Sequence, residues 1–193
     1  MLKNLQKYKI LLGSKSPRRR ELLAELRIPF TTVTAGNIDE SYPDSIPPID
    51  VPQFLSARKA DAFRDLLKDD ELLITADTLV ICEDKILGKP KSVSDAIEML
   101  TFLSGKTHHV ATGVTITSSS RRVSFTSVTD VHFAELGREE IEYYVHNYSP
   151  LDKAGAYGIQ EWIGCVAIDY IKGSYYNVMG LPIHQLYKEL TLF

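Results

Sequence analysis

The chain has 193 residues, 44% of them hydrophobic and 24% charged, which is typical of a globular protein with a substantial core. The formal net charge of −3 argues against general nucleic-acid binding, so the basic residues near the N-terminus indicate a small anionic ligand. No apolar run approaches the roughly 20 residues of a membrane span, and the first residues lack a signal-peptide core. We therefore predict a single cytoplasmic domain over residues 1–193, with no nucleic-acid or membrane partner.

The N-terminal stretch predicts a short buried strand followed by a helix. Ile10–Leu12 is apolar, Ser16 is placed to cap the helix, and Pro17 suits the first helical position. The arginines at positions 18–20 then occupy the first helical turn, where the helix dipole disfavours cations. An anion held by backbone N–H groups and hydroxyls at this turn would compensate for them. The alternative is a solvated basic helix start.

The chain continues with a predicted strand, a loop and a second helix. Phe30–Val33 is the strand, and three prolines make Tyr42–Ile49 an irregular loop. Asp50 opens the helix, with Gln53 in the position that completes a capping box. Lys59 lies on the apolar stripe of this helix, where a lysine more often extends to the helix edge than points into a cleft.

The most apolar run of the chain, Leu72–Ile81, predicts a central strand that is interrupted by Asp77. A carboxylate near the middle of a buried strand needs a partner, a metal or a ligand, because desolvating an unpaired charge is costly. One alternative is a structural ion pair, for example with one of the arginines, but a functional role is the favoured interpretation. The Gly-Lys-Pro sequence at 88–90 follows, and by itself it is a weak signal.

The second half of the chain predicts alternating helices and strands. Ser94 is placed to cap a helix that Gly105 ends. Ser149–Gln160 is rich in small residues and ends in an amide that can read a base edge. The other predicted elements are the strands Val110–Thr117 and Val123–Phe133, a helix over Arg138–Val145, a strand containing Val166, Ile168 and Tyr170, and a closing helix from Pro182.

The cysteines and the paired histidines lack the spacing of a metal site. Cys82 and Cys165 lie in apolar runs, and we predict that both are buried thiols in a reducing compartment. His108 and His109 stand ahead of a strand without a third ligand nearby, so we predict polar residues at the entry to that strand.

A series of short motifs resembles the Maf family of nucleoside triphosphate pyrophosphatases. Each motif is weak alone, but their common order over nearly the whole chain is highly specific. Residues 154–160 and 173–178 resemble the branch that acts on dTTP and UTP rather than the branch that prefers 7-methyl-GTP. The motifs are Ser14-x-Ser16-Pro17-Arg18-Arg19, Asp39-Glu40, Lys59-Ala60, Ala76-Asp77-Thr78, Gly88-Lys89-Pro90, Asp152-Lys153-Ala154-Gly155 and Gly180-Leu181-Pro182.

The resemblance implies a fold and an activity. The fold is α/β, an elongated single domain with a mixed twisted sheet flanked by helices and a deep cleft between two lobes. The activity is hydrolysis of dTTP and UTP to the monophosphate and pyrophosphate, with a divalent cation, Mg²⁺ or Mn²⁺, as cofactor. The family usually forms homodimers.

The resemblance also assigns roles to single residues. Asp77 is implied to accept the proton of the attacking water, and Glu40 and Asp77 are the candidate ligands of the cation. Substrate preference is implied to depend on Arg18, Thr78 and Gln160. The residues implied to bind phosphate are Ser14, Ser16, Arg19, Lys59, Lys89 and Lys153.

Two positions depart from the family pattern, and the sequence leaves several interpretations open. Gly13 and Ser56 stand where the family usually has alanine, and neither departure removes a charged group. Asp77 can hold a cation, orient water or accept its proton. The alternatives to the dTTP/UTP activity are the 7-methyl-GTP branch and a non-catalytic nucleotide sensor that uses the same cleft.

Overall fold

The computed structural model of the protein describes residues 2–36 and 38–193, except for the side chain of Asp65. Strands and helices both occur along the described chain, and the fold is α/β, as predicted. Two units can be distinguished by their internal contacts. The first unit comprises Met1–Asp77, Thr112–Ser127 and Gly180–Phe193, and the second comprises Thr78–Ala111 and Val128–Met179.

The described part of the chain contains one mixed sheet of seven strands. These are β1 (Lys9–Gly13), β2 (Phe30–Val33), β3 (Glu71–Cys82), β4 (Lys85–Leu87), β5 (Thr107–Thr117), β6 (Arg122–Phe133) and β7 (Ile168–Lys172). Their order is β2-β1-β3-β5-β6-β7, and β4 pairs with β3 outside this order. Strand β1 is parallel to β2 and β3, with Ile10 opposite Phe30 and Leu72, whereas β4 and β7 are antiparallel to β3 and β6.

Helices connect and flank these strands. They are α1 (Pro17–Ala24), α2 (Val51–Asp61), α3 (Val93–Leu103), α4 (Arg138–Tyr148), α5 (Trp162–Val166), α6 (Tyr175–Val178) and α7 (Ile183–Thr191). Short 3₁₀ turns cover Lys3–Lys7, Arg64–Leu66, Pro150–Asp152 and Ala154–Ala156. Among the residues that the structure describes, no helix has the length and apolar character to cross a membrane.

The first unit is built on β1, the first half of β3 and the helices α1 and α7. The predicted start of α1 is confirmed, because the Ser16 hydroxyl accepts from the backbone nitrogen of Arg19 at 3.4 Å and Pro17 is the first helical residue. The core consists of the side chains that these elements bury, including Leu12, Leu22, Leu23, Leu72, Leu73, Ile74, Leu186 and Leu190.

The second unit has its own apolar core, in which α3 and α4 pack with residues of β6. The period of the helices places large apolar side chains on one face, and strand alternation does the same for β6. The largest fully buried side chains of this core are Leu100, Leu103, Phe133, Tyr144 and Ile163.

The predicted start of α2 at Asp50 is confirmed, but its capping box does not form, and the predicted cap of α3 is wrong. Asp50 precedes α2 but makes no side-chain cap, and the Gln53 side chain instead accepts from the Thr126 hydroxyl at 3.0 Å. Helix α3 is capped by Ser92, whose hydroxyl accepts from the backbone nitrogen of Asp95 at 3.1 Å. Ser94 lies inside the first turn of α3. For α3 the local capping rule is met by both Ser92 and Ser94, and Ser92 is the one whose backbone takes the extended conformation of a cap.

The strand predicted through Val166 begins two residues later. Val166 is the last residue of α5, a five-residue helix too short to show a helical period in the sequence. Because this segment is helical, strand alternation does not bury Cys165, which is exposed, whereas Cys82 in β3 is buried. The prediction of two buried thiols is therefore wrong for Cys165.

His108 is a core residue of the second unit and not a polar residue at a strand entry. It lies within β5 and is fully buried, with Nε2 2.8 Å from the Tyr157 hydroxyl and its ring edge-on to Phe133. Burial lowers the pKa of His108 to about 3, and His109 and His132 act in the same direction. Folding thus buries this imidazole in its neutral form.

This burial predicts a loss of stability in mild acid. The folded state keeps His108 neutral below the usual pKa of 6.5, while the unfolded chain binds a proton there, so stability present above that pH is lost as the pH falls toward 3. We expect His108 to account for about 2 kcal/mol of the loss between about pH 8 and about pH 5. This contribution is measured by urea unfolding of the wild type and of His108→Gln over the same pH range.

The matched control is His184→Gln, which removes an exposed imidazole. Its pH profile should follow that of the wild type, whereas the His108→Gln profile should be flatter. Parallel profiles for all three proteins would show that His108 is protonated in the folded state.

Candidate active site

In the first unit, helix α2 lies directly against the sheet, because β5 has a glycine at the point of closest approach. A Cβ atom on Gly113 would lie 2.2 Å from the backbone nitrogen of Gln53, closer than packing permits. Further along the helix, the buried Ser56 hydroxyl lies 2.9 Å from that of Thr115. The Ser56 carbonyl accepts from the Thr75 hydroxyl at 2.7 Å. These contacts fix the rotation of α2 about its axis.

This rotation places Lys59 against two carboxylates. Lys59 is three residues after Ser56 and shares its helix face, while Asp77 is two residues after Thr75 and shares its strand face. The Lys59 ammonium contacts Asp77 Oδ1 and lies 2.8 Å from Glu40 Oε1. The side chains of Lys59 and Asp77 are 15% and 12% exposed, and that of Glu40 is 60% exposed. We call these three residues the acid–lysine cluster.

The cluster corrects two expectations from the sequence. The spacing of Lys59 favoured a side chain that extends to the helix edge, and this is wrong, because the ammonium turns toward Asp77. The ion pair considered for Asp77 exists, and the partner that the structure shows in direct contact is Lys59. The cluster carries two negative charges and one positive charge, so its charges do not balance within the three side chains.

The loop that carries Glu40 is held by its neighbours in sequence. Asp39 accepts from the backbone nitrogen of Ser41 at 2.9 Å and from the guanidinium of Arg58 at 2.8 Å. Arg58 also donates to the carbonyl of Ser41 at 2.5 Å. Arg58 precedes Lys59 on α2, so adjacent residues of one helix hold Glu40 and its flanking residues.

Arg19 ties the start of α1 to the backbone next to Asp77. Its Nη1 donates to the carbonyl of Ala76 at 2.7 Å, and its Nε donates to the carbonyl of Gly180 at 2.8 Å. Burial lowers the pKa of the Arg19 guanidinium, while the carboxylate of Asp77 acts in the opposite direction. Arg19 therefore places positive charge beside the acid–lysine cluster and fixes the peptide that leads into Asp77.

The other predicted residues of the first unit lie at the same turn. The Ser14 hydroxyl accepts from the backbone nitrogen of Ser16 at 3.2 Å, so both predicted serines shape the turn between β1 and α1. Arg18 is half-buried in the first turn of α1. The residues that the structure brings together in this unit are thus Ser14, Ser16, Arg18, Arg19, Glu40, Lys59 and Asp77.

In the second unit, the structure joins two of the predicted motifs. The backbone nitrogen of Gly155 donates to the carbonyl of Gly88 at 3.0 Å. Gly155 has a positive φ of 69°, and a Cβ atom there would lie 2.8 Å from a methyl group of Val80. The Gly-Lys-Pro and Asp-Lys-Ala-Gly sequences are neighbours in the structure. Gly155 allows this close approach because it has no side chain.

Lys153 is buried between two carboxylates. Its ammonium lies 2.8 Å from Asp152 Oδ1 and 3.1 Å from Glu161 Oε1, and the residue is 8% exposed. Glu161 also accepts from the hydroxyl of Tyr144. Lys153 resembles Lys59 in this respect, since each unit has a lysine of low exposure that contacts two acids.

The remaining predicted residues of the second unit are more accessible. Thr78 is half-buried in β3, and Lys89 is exposed after the Gly88 turn. Gln160 is exposed in the turn that precedes α5. The structure places Gln160 next to Glu161, the carboxylate that binds Lys153.

Comparison with known proteins identifies the family. A sequence model of the family described as "Maf-like protein" matches residues 9–193. The chain belongs to the Maf family. It is 52% identical over 190 residues to a dTTP/UTP pyrophosphatase of Bacteroides thetaiotaomicron, covering 98% of each protein. It is also 52% identical over 193 residues to a dTTP/UTP pyrophosphatase of Parabacteroides distasonis, covering 100% of each.

A solved structure shares the fold of this Maf protein. It is the structure of a HAM1 protein from Coxiella burnetii, with a TM-score of 0.54 and 14% sequence identity over 96% of this chain and 100% of that chain. At this level of identity the likeness concerns the fold. It supports an α/β structure with a mixed sheet flanked by helices.

The acid–lysine cluster fits only one kind of cation site. The described residues contain no group of three or more His, Cys, Asp or Glu side chains that could hold a metal ion. Two carboxylates nevertheless converge, because Glu40 and Asp77 both contact the Lys59 ammonium. Mg²⁺ often takes one or two protein carboxylates and completes its shell with water and substrate phosphates. The cluster therefore fits a cation that arrives with a triphosphate.

The sequence did not reveal the residues that hold the candidate site in place. Arg58, Tyr144 and Glu161 make the contacts described above, but none of them breaks a local pattern. The only usable signal was adjacency, since Arg58 precedes Lys59 and Glu161 follows Gln160. Adjacency alone does not distinguish a supporting residue from an ordinary surface residue.

The burial of Asp77 predicts that the protein is destabilised without Lys59. Lys59→Met removes the cation that contacts Asp77 and leaves a carboxylate that is 12% exposed. We expect a loss of about 3 kcal/mol in the free energy of unfolding, which is typical of breaking a buried pair from one side. Urea unfolding at neutral pH measures this loss, and adding Asp77→Asn should recover much of it.

Lys89→Met is the matched control, because it shortens an exposed lysine in the same way. Its effect should stay within about 0.5 kcal/mol. If Lys59→Met were as mild as this control, the ion pair would not be what compensates the burial of Asp77.

Proposed function

We propose that this Maf protein hydrolyses dTTP and UTP to the nucleoside monophosphate and pyrophosphate. The support for the substrates is the similarity to dTTP/UTP pyrophosphatases at 52% identity over the full chain. The observation that carries the chemistry is the acid–lysine cluster, in which the largely buried Asp77 carboxylate contacts an ammonium beside the arginine-rich turn of α1. A protein that only senses a nucleotide does not need a carboxylate there.

The chemistry requires stabilisation of the charge that develops on the leaving pyrophosphate. Positioned cations and helix N-termini provide most of the catalysis in phosphoryl transfer. We assign this role to Lys59, Arg18 and Arg19, with Ser14 and Ser16 at the same turn as phosphate-binding residues. Lys89 and Lys153, which belong to the second unit, are proposed as further phosphate-binding residues.

Asp77 is the proposed proton acceptor. The contact with Lys59 orients its carboxylate, and the bond from Arg19 to the Ala76 carbonyl fixes the preceding peptide. A positioned base typically contributes about 10²- to 10⁴-fold to the rate. Glu40, which shares Lys59 with Asp77, is the second candidate for this role.

We propose Mg²⁺ or Mn²⁺ as the cofactor, held by Asp77 and Glu40 together with the phosphates of the substrate. When bound, such a cation neutralises phosphate charge and lowers the pKa of coordinated water. From the family resemblance we also propose a homodimer, a deep cleft and a single domain over residues 1–193. A cytoplasmic location is proposed from the same resemblance and from the two free thiols.

Base selection is assigned to Gln160, with Arg18 and Thr78 as further determinants of preference. The amide of Gln160 offers one donor and one acceptor, which match the N3–H and a carbonyl that thymine and uracil share. Cytosine has an acceptor at N3 and an amino group at C4, so one of these bonds is lost. Its exposure leaves the amide accessible to a ligand.

Product analysis with a nucleotide panel tests the activity and the role of Asp77. Wild type with Mg²⁺ or Mn²⁺ should release pyrophosphate and monophosphate from dTTP and UTP in preference to 7-methyl-GTP. Asp77→Asn keeps the shape of the side chain but removes its charge and basicity, so turnover should fall by roughly 10²-fold or more. Because Asp77 is paired with Lys59, we expect this variant to fold without a gain in stability.

Several results would contradict this proposal. Release of single phosphates, or binding without turnover of any triphosphate, would exclude a pyrophosphatase. Near wild-type turnover by Asp77→Asn would place the proton acceptor elsewhere, and Glu40→Gln is then the next variant to test.

The variant Gln160→Glu tests base selection. Replacing the amide by a carboxylate removes the donor that a pyrimidine carbonyl requires, and an unmade bond of this kind costs about 1–3 kcal/mol. We therefore expect turnover of dTTP and UTP to fall roughly ten- to a hundredfold, and by more than turnover of CTP. The comparison uses kcat/KM for the three nucleotides, and an equal fall for all three would make Gln160 a structural residue.

A further inference from the structure

Gln160 is presented by a tight turn at the start of α5. The turn spans Gly158–Glu161 and is closed by a hydrogen bond from the backbone nitrogen of Glu161 to the carbonyl of Gly158, at 3.0 Å. Gln160 is the third residue of this turn and is exposed, whereas Ile159 beside it is buried, with 7% exposure. The direction in which the Gln160 amide points is thus set by how the turn is held.

The hydroxyl of Tyr144 holds both ends of this turn. It accepts from the backbone nitrogen of Gly158 at 3.0 Å and donates to Glu161 Oε2. Tyr144 is fully buried on α4, and burial together with the Glu161 carboxylate raises its pKa. The phenol is therefore a permanent donor, and it joins the residues two positions before and one position after Gln160.

The glycines on either side restrict the turn further. A Cβ atom on Gly158 would lie 3.1 Å from Gln160 Nε2 and 3.0 Å from Glu161 Cδ, so these two side chains fold back over the glycine. A Cβ atom on Gly164 would lie 1.8 Å from the carbonyl oxygen of Ile159, so α5 packs directly on the turn. The turn is thus covered by its own side chains at Gly158 and by backbone contact at Gly164, and the Tyr144 hydroxyl hydrogen-bonds to both of its end residues.

From these contacts we propose that Tyr144 is a positioning residue for base selection, acting through the turn that presents Gln160. The inference rests on the proposed function, in which Gln160 reads the base. Tyr144 itself touches no substrate in this scheme. Its hydroxyl holds Gly158 and Glu161, the first and last residues of the turn, in the positions that the Gln160 amide needs.

The same hydroxyl connects base selection with a proposed phosphate ligand. Glu161 accepts from Tyr144 with Oε2 and lies 3.1 Å from the Lys153 ammonium with Oε1. One carboxylate thus holds the turn and the lysine with different oxygens. This division allows the two effects to be separated by substitution.

The experiment measures kcat/KM for dTTP, UTP and CTP in wild type and Tyr144→Phe. The phenyl ring preserves the packing of the core, and only the hydroxyl is lost. We expect the preference for dTTP over CTP to fall about tenfold in Tyr144→Phe, which is the effect of a misplaced hydrogen bond in a specificity pocket. In a Gln160→Ala background the same substitution should change the preference no further, because both act through one contact.

Two matched controls remove other tyrosine hydroxyls. Tyr143→Phe removes an exposed hydroxyl from the adjacent residue of α4 and retains the ring that packs on Trp162. Tyr157→Phe removes a buried hydroxyl, bonded to His108, from the residue next to Gly158. Both controls should keep the wild-type preference between dTTP and CTP, even if Tyr157→Phe lowers stability.

Glu161→Gln separates the turn from the lysine. Its amide keeps an oxygen for the Tyr144 hydroxyl but removes the charge that pairs with Lys153, so kcat/KM should fall by a similar factor for all three nucleotides.

If wild type hydrolyses dTTP and UTP but Tyr144→Phe keeps the wild-type preference, the role of Tyr144 is overturned while the proposed function stands. If Tyr143→Phe or Tyr157→Phe lowers the preference as much, the role is also overturned. Failure of wild type to hydrolyse either nucleotide overturns both proposals.

Discussion

The contact between the Lys59 ammonium and the Asp77 carboxylate is the interaction on which the candidate site depends. A carboxylate near the middle of a central strand is costly to bury, and a paired cation is the usual compensation. Lys59 reaches it only because Gly113 lets α2 lie on the sheet and because Ser56, bonded to Thr75 and Thr115, fixes the rotation of the helix. A polar network in the core therefore determines the geometry of the charged cluster.

The second unit repeats this arrangement with different residues. Lys153 is buried between Asp152 and Glu161, as Lys59 lies between Glu40 and Asp77. A phosphate that binds to either lysine must compete with carboxylates for the same ammonium. Its affinity then depends on the difference between two charge-assisted hydrogen bonds rather than on the full strength of one. Such sites favour a highly charged ligand and a cation that accompanies it.

Supporting residues were the part of the site that the sequence did not indicate. Arg58, Tyr144 and Glu161 act through partners that are distant in sequence or in a different element, and each has an ordinary neighbourhood. The same limitation explains why the capping box of α2 does not form and why the cap of α3 was wrong. The Gln53 side chain bonds to the distant Thr126, and two nearby serines both satisfy the local rule for α3. The prediction for His108 failed for a different reason. An imidazole was expected to lie in solvent at the entry to a strand, but the fold buries it in its neutral form.

The sequence by itself determined the order and type of most elements, the cap of α1, the family, and the charged residues that we propose for the site. These features follow from apolar periodicity, local capping and short motifs, which act between residues close along the chain. Only the tertiary structure decided that Lys59 turns inward to Asp77, that Lys153 is buried between two acids, and that Tyr144 holds the turn of Gln160. Side-chain direction and charge pairing depend on which distant segments pack together, and that information is absent from local spacing.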